Sequence, residues 1–387
     1  MPWKTATVPT ERARFVLEAE LSFYSFSELC RRYGITRRTG HKWVERYQEE
    51  GLSGLEDRSH RPHSCPHLTP EPVVARILEI RRRHRWGAPK IRRILQDEFD
   101  LAPSVDAIHR ILVQHDLVTP RKPRRRRTHP GPPTNSMDAP NATWTTDFKG
   151  EFRTGNGTLC YPLTVQDAHS RFLLECRGFE RIDSQLTRSR FEHLFREYGL
   201  PDRIRSDNGA PFASNALGRL SRLSVWWITL GITPELTEPG KPQQNGRHER
   251  MHRTLKQDTA LPPQSSLRTQ QRAFDSFRKT FNFERPHQAL QQERPASLYV
   301  PSPRPFPRNP EPVSYPAHFE VRQVSNDSTL RWRNQKVFVS HLLRCRPVGL
   351  EEVGHGVWSV FFGPVHLGWL DETDYRIMDV QGNKRLR

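Results

Sequence analysis

Apolar residues recur at helical spacing through the first third of the chain and alternate in the manner of strands later on. Phe15, Val16 and Ala19 give residues 10–21 one apolar face, and a second short helix is expected over 26–33, where Gly34 ends it. Thr36 is a fair N-cap for a third helix over 37–50, with Trp43, Val44 and Tyr47 on its inner side. This is a helix-turn-helix pattern. The outward positions of its third helix are Arg37, Arg38, Thr39, His41, Lys42 and Arg46, side chains suited to phosphates and base edges in a major groove. The plain alternative is a solvated basic helix. Val73, Ile77 and Ile80 begin a second helical set, continued over 90–98 and, after Ser104 as N-cap, to residue 115. That set reads as a second helix-turn-helix with His109 and Arg110 outward, or equally as a structural three-helix unit.

Strand patterns follow over 143–152, 158–166 and 171–179, then a helix over 184–198, a fourth strand over 203–206, and a helix over 216–230 with Leu217, Leu220, Leu223 and Trp227 inward. Three consecutive strands followed by strand–helix alternation predict a mixed sheet flanked by helices. Pro301, Pro303, Pro305 and Pro307 read as a linker, and the alternation beyond them, broken by Gly and Asn turns, as a small β-barrel. The fold class expected is therefore multidomain α/β. Its parts are helix-turn-helix units at 1–60 and 71–118, a linker at 119–142, a mixed-sheet core at 143–300 and a barrel at 316–387.

Charge sharpens this picture. With 61 Lys and Arg against 43 Asp and Glu, the net charge is +18 in 387 residues, and an anionic polymer is the partner such an excess implies. The Pro-rich linker carries Arg124, Arg125, Arg126 and Arg127, a composition that buries no core and suits a tether lying on phosphates. No apolar run approaches a membrane-spanning length, and Met1 leads into charged residues rather than a signal-peptide core, so a cytoplasmic protein is expected. Five scattered cysteines give no disulfide framework. His60, His63, Cys65 and His67 fall in a polar linker where zinc is conceivable but no second cysteine pair follows.

Three acids stand out against this basic background. Asp147 and Asp207 each come where an apolar strand stops, and Glu249 sits on a helix otherwise lined with basic side chains. The reading adopted is that they converge on a pair of metal ions. Hard carboxylate oxygens suit Mg²⁺, and three acids can hold two ions about 3.5–4 Å apart while leaving positions open for water and phosphate. Arg253 and Lys256 follow four and seven residues after Glu249, hence on its helix face. They would position phosphate, unless Arg253 merely pairs with Glu249. Asp167, Glu235 and Glu238 are the rival acids.

The stretches WTTDF, SDNG followed by PF, GKPQQNGRHERMHRTLK and FNFERPHQAL resemble those of bacterial insertion-sequence transposases of the DDE type, related to retroviral integrases. The resemblance implies an RNase H-like core with Asp147, Asp207 and Glu249 as catalytic metal ligands. It also implies Mg²⁺ as a two-ion cofactor with Mn²⁺ able to substitute. The partners implied are double-stranded DNA, as element ends and target, and further copies of the chain, at least a dimer on DNA. The 42 residues separating Glu249 from Asp207 exceed the usual integrase spacing, placing an insertion around 223–239. A non-catalytic helix-turn-helix regulator is the alternative from another class. A bacterial, nucleoid-associated location is expected with the transposase resemblance.

Overall fold

The computed structural model describes residues 8–58, 68–118, 137–237 and 246–380. They fall into two compact units, Met1–Pro70 and Glu71–Arg387.

In the first unit α1 (Val8–Glu20), α2 (Phe26–Arg32) and α3 (Arg37–Glu50) close over Phe15, Val16, Leu29, Cys30 and Trp43. Ser25 and Thr36 cap α2 and α3 by accepting the Glu28 and Thr39 N–H groups. The close approach of α2 and α3 depends on Gly40. A Cβ there would come 2.7 Å from Cys30 Sγ and 3.0 Å from Phe15.

The second unit begins with α4 (Glu71–His84), α5 (Ala88–Glu98) and α6 (Val105–Gln114), packed around Ile77, Ile91, Leu95 and Ile108. The sheet that follows contains β1 (Thr143–Phe148), β2 (Phe152–Arg153), β3 (Leu159–Asp167), β4 (Leu173–Phe179), β5 (Arg203–Ser206) and β6 (Thr233–Leu236). Its order is β2-β3-β1-β5-β6, with β4 also on β3. The pairs β1/β5 and β5/β6 are parallel and the others antiparallel, so the sheet is mixed. Side-chain alternation divides the two faces. Trp144, Leu163, Val165 and Ile204 meet α7 (Ser184–Tyr198) and α8 (Arg222–Thr229) on one face. Cys160 and Cys176 meet α9 (Gly246–Thr259) and α10 (Leu267–Lys279) on the other.

Side chains following β4 in sequence close its outer edge. Gln271 accepts from Gly178 N and donates to Cys176 O, and Arg278 donates to Leu174 O. Asn282 accepts from Leu173 N at 2.8 Å and donates to Leu173 O at 3.0 Å. The Asn in FNFERPHQAL thus takes the place of a neighbouring strand, satisfying groups an open edge would leave unpaired.

Several elements differ from the sequence reading. The first strand stops at Phe148 rather than running to 152. The helix expected over 216–230 is broken: Gly218 has φ 61°, and Ser221 starts α8 afresh through a capping box with Ser224. The presumed insertion contains β6, whose Pro234 is tolerated at the sheet margin. The Pro-rich stretch near 301–307 lies on the core instead of linking. Arg304 donates to Pro201 O, Leu230 O and Gly231 O, and its own carbonyl accepts from Leu200 N.

After the short α11 (Pro295–Leu298), seven strands among the described residues form the carboxy-terminal part. They are β7 (Glu320–Gln323), β8 (Thr329–Trp332), β9 (Gln335–Phe338), β10 (Pro347–Gly354), β11 (Val357–Phe362), β12 (Val365–Asp371) and β13 (Arg376–Met378). They make an antiparallel sheet, β13-β12-β11-β10-β7, and a β8-β9 hairpin over one core. Leu217, Leu220, Val225 and Ile228 join that core, so these sheets are packed on the α8 region. Among the described residues no helix is long and apolar enough to cross a membrane.

Candidate active site

Strand register brings the two aspartates together. In the parallel β1/β5 pair Thr145 stands opposite Arg205. Asp147 and Asp207 each lie two residues further on, at matching heights at the carboxyl ends of neighbouring strands. Ligands in open α/β sheets collect at such ends. A turn holds Asp207: Asn208 donates to Thr237 O at 2.6 Å, and a Cβ on Gly209 would stand 3.0 Å from Asp207 Oδ2. Asp207 Oδ1 is buried without a hydrogen-bond partner among the described residues.

The third acid arrives on α9, and two buried histidines dock that helix. His248 Nδ1 lies 2.9 Å from Thr145 Oγ1 and its Nε2 2.7 Å from Thr164 Oγ1; His252 Nε2 reaches the same Thr164 oxygen at 2.6 Å. With Met251 and Leu255 these histidines form the buried face of α9, leaving Glu249 exposed. Asp147, Lys149, Glu249, His252, Arg253 and Lys256 then line one cleft of about 540 Å³.

Electrostatics couple Asp147 to the other two acids. Burial, then Asp207, push the Asp147 carboxyl up to about 7, with Glu249 adding to the rise and Lys149 opposing it. Burial also raises Asp207, against the Gly209 N–H. The histidines are neutral: burial holds His248 down at about 3, and burial, His248 and Lys149 hold His252 at about 2. The 3.6 Å approach of His252 Nδ1 to Asp147 is therefore a polar contact rather than an ion pair. Carboxylates that repel one another and keep a spare buried lone pair suit a bound cation, as the donor set for Mg²⁺ requires. Among the described residues no three metal-ligating side chains already close on one point.

The rival acids have other work. Asp167 is fully buried and accepts from Asn141 N, Ser170 N and Ser170 Oγ, fixing the turn after β3. Glu235 accepts from the buried Arg205 at 2.7–2.8 Å. Glu238, the loop through Gly240 and Asn245, the run Arg124–Arg127 and the 60–67 His/Cys group lie outside the described residues. Arg253 forms no ion pair with Glu249 among the described residues and faces the shared cleft instead. In the first unit Arg37, Arg38 and Lys42 are exposed on α3. Thr39 is half-buried, its hydroxyl 2.9 Å from that of Thr36, while Arg46 lies over the Trp43 ring. His109 and Arg110 are exposed on α6. Lys149, His248 and His252 escaped the sequence reading. The signal for the histidines was there, because 248, 251, 252 and 255 follow helical spacing.

Integrase core domain profiles match residues 137–242 and 230–295. The chain carries an integrase core. A helix-turn-helix domain matches residues 11–63 and a homeodomain-like domain 39–112 ahead of this core. An uncharacterized protein of insertion element IS476 from Xanthomonas euvesicatoria is 26% identical over 274 residues, 69% of this chain and 76% of that protein. An uncharacterized protein of insertion element IS407 from Burkholderia multivorans is 26% identical over 235 residues, 59% of this chain and 80% of that one. The solved HTLV-2 integrase catalytic core domain in complex with magnesium (trimeric form) aligns at 17% identity and TM-score 0.34. It covers 42% of this chain and 98% of that one.

Proposed function

We propose that this chain is an insertion-element transposase that binds the terminal repeats of its element, cuts there, and joins the freed 3′ ends to target DNA. The observation that carries the reading is the level placement of Asp147 and Asp207 at the ends of β1 and β5, with Glu249 of α9 sharing the Asp147 cleft beside Arg253 and Lys256. Asp147, Asp207 and Glu249 would hold Mg²⁺, with Mn²⁺ able to substitute, and these ions would supply activation of the oxygen nucleophile and stabilisation of transition-state charge. Arg253 and Lys256 hold the scissile strand by its phosphates, on the same helix that carries Glu249. His248 and His252 set the depth of that helix on the sheet. Arg37, Arg38 and Lys42 on α3 read the element ends. Two ends must meet one target, so the working form is a homo-oligomer, at least a dimer, on duplex DNA.

The test is incubation of the purified chain with a labelled fragment bearing the element's ends and Mg²⁺. Cleavage and joining by the wild type, lost in Asp147→Asn, Asp207→Asn and Glu249→Gln with end binding retained, is the expected result. Binding without cleavage by the wild type under any divalent cation would make the chain a DNA-binding regulator instead.

A further inference from the structure

Gln257 and Leu261 line the carboxylate cleft and also a second cleft of about 490 Å³ between the end of α4 and the α9/α10 side of the core. The two clefts therefore share a wall at these residues. Arg82, Arg83, Arg85 and Arg285 line the second one against a single acid, Asp258, which approaches Arg285 at 3.6 Å. Arg82, Arg83 and Arg85 are exposed and have no ion pair or hydrogen-bonded side-chain partner among the described residues. Their backbone is nevertheless fixed. Arg81 donates to Arg85 O at 2.7 Å, Trp86 O at 2.9 Å and Leu117 O at 2.7 Å, and His84 stacks on Trp86 at 4.2 Å.

Lys90 on α5 is half-buried and within electrostatic reach of Arg285, Arg250 and Asp258. Burial, then Arg285 and Arg250, push its ammonium down to about 7. Arg285 is itself lowered by burial. Cations gathered this closely cost free energy unless an anion joins them.

We propose that the second cleft seats the phosphodiester backbone of duplex DNA. The α4–α6 unit would then hold the duplex flanking the reacting strand with the end of α4 rather than with His109 and Arg110 of α6. The proposal rests on the transposase reading. It adds a binding surface that neither α3 nor the carboxylate cleft provides.

The test is fluorescence anisotropy of the full chain on a long duplex carrying the element's end and on a scrambled duplex, across a salt series. The variants are Arg82→Ala/Arg83→Ala/Arg85→Ala, the matching triple Lys variant, and Arg181→Ala/Arg188→Ala, just before and on α7, the helix that packs on the opposite sheet face. Each phosphate contact contributes about 0.9 to the slope of log K against log salt, so the Ala triple should lower it by roughly two to three and weaken binding about tenfold or more. The loss should be equal on both duplexes. The Lys triple should restore most of it, and the α7 pair should leave the slope nearly unchanged. A wild type that binds and joins DNA while the Ala triple keeps its slope would overturn the cleft alone. So would an equal loss in the α7 pair, since net charge would then explain it. A wild type that binds no DNA would overturn the transposase reading and the cleft together.

Discussion

Replacing Asp147 by Asn should stabilise the metal-free protein while removing its chemistry. The Asp147 carboxyl is raised from the ordinary 3.8 to about 7, by burial first and Asp207 next. A carboxyl whose folded-state pKa is raised contributes stability that is complete below about pH 4 and is lost as pH climbs through 7. Each pKa unit is worth ~1.4 kcal/mol, so without metal at pH 8 burial and the neighbouring carboxylates together cost at most ~4 kcal/mol. The side chain is 21% exposed, and solvent screening reduces the realised cost to about 2 kcal/mol. Asn keeps the shape and removes the charge. In a unit of this size that gain raises the midpoint by roughly 3 °C. Differential scanning calorimetry in chelator should show this rise at pH 8 and less than half of it at pH 5, where folded Asp147 is already protonated. Added Mg²⁺ should raise the wild type and leave the variant nearly unmoved. A variant that melts at or below the wild type at pH 8 in chelator would refute the idea that Asp147 sits in a cluster of unneutralised carboxylates.

Other expectations separate the remaining parts. Arg38→Ala should lose about 1–3 kcal/mol on the cognate end only, whereas Lys256→Ala should weaken all duplexes alike and lower the salt slope by about one, both read by anisotropy. Asn282→Ala should destabilise by roughly 2–4 kcal/mol in denaturant melts, because the N–H and C=O of Leu173 lose their partner at the β4 edge. Lys90, held down at about 7, binds fewer protons folded than unfolded between pH 7 and about 10, so DNA-free stability should rise with pH across that window. Lys90→Gln should flatten that rise in pH-dependent melts.

The sequence made some elements plain and hid others for physical reasons. Helix α3 begins and ends where Thr36 and the Gly51 break place it, because caps are local chemistry. Asp147 and Asp207 were legible because each ends an apolar strand. Their equal height was not, since it depends on the parallel β1/β5 register, a long-range pairing. The β6 strand, Thr-Pro-Glu-Leu, carries no alternation and forms only because β5 offers it an open edge. The buried face of α9 was masked by its polar letters: a histidine reads as surface until Thr145 and Thr164 are placed opposite it. The role of Asn282 was likewise invisible, since it answers to a strand 109 residues earlier.

The most direct test of the central claim is strand transfer by the purified chain, measured on a labelled element end with Mg²⁺, for the wild type and Glu249→Gln side by side. Glu249 is the carboxylate that α9 places in the Asp147 cleft, so its loss should abolish joined product while anisotropy shows the end still bound. Joined product at wild-type rate from Glu249→Gln, or from the wild type in chelator, would contradict the three-carboxylate, metal-dependent site.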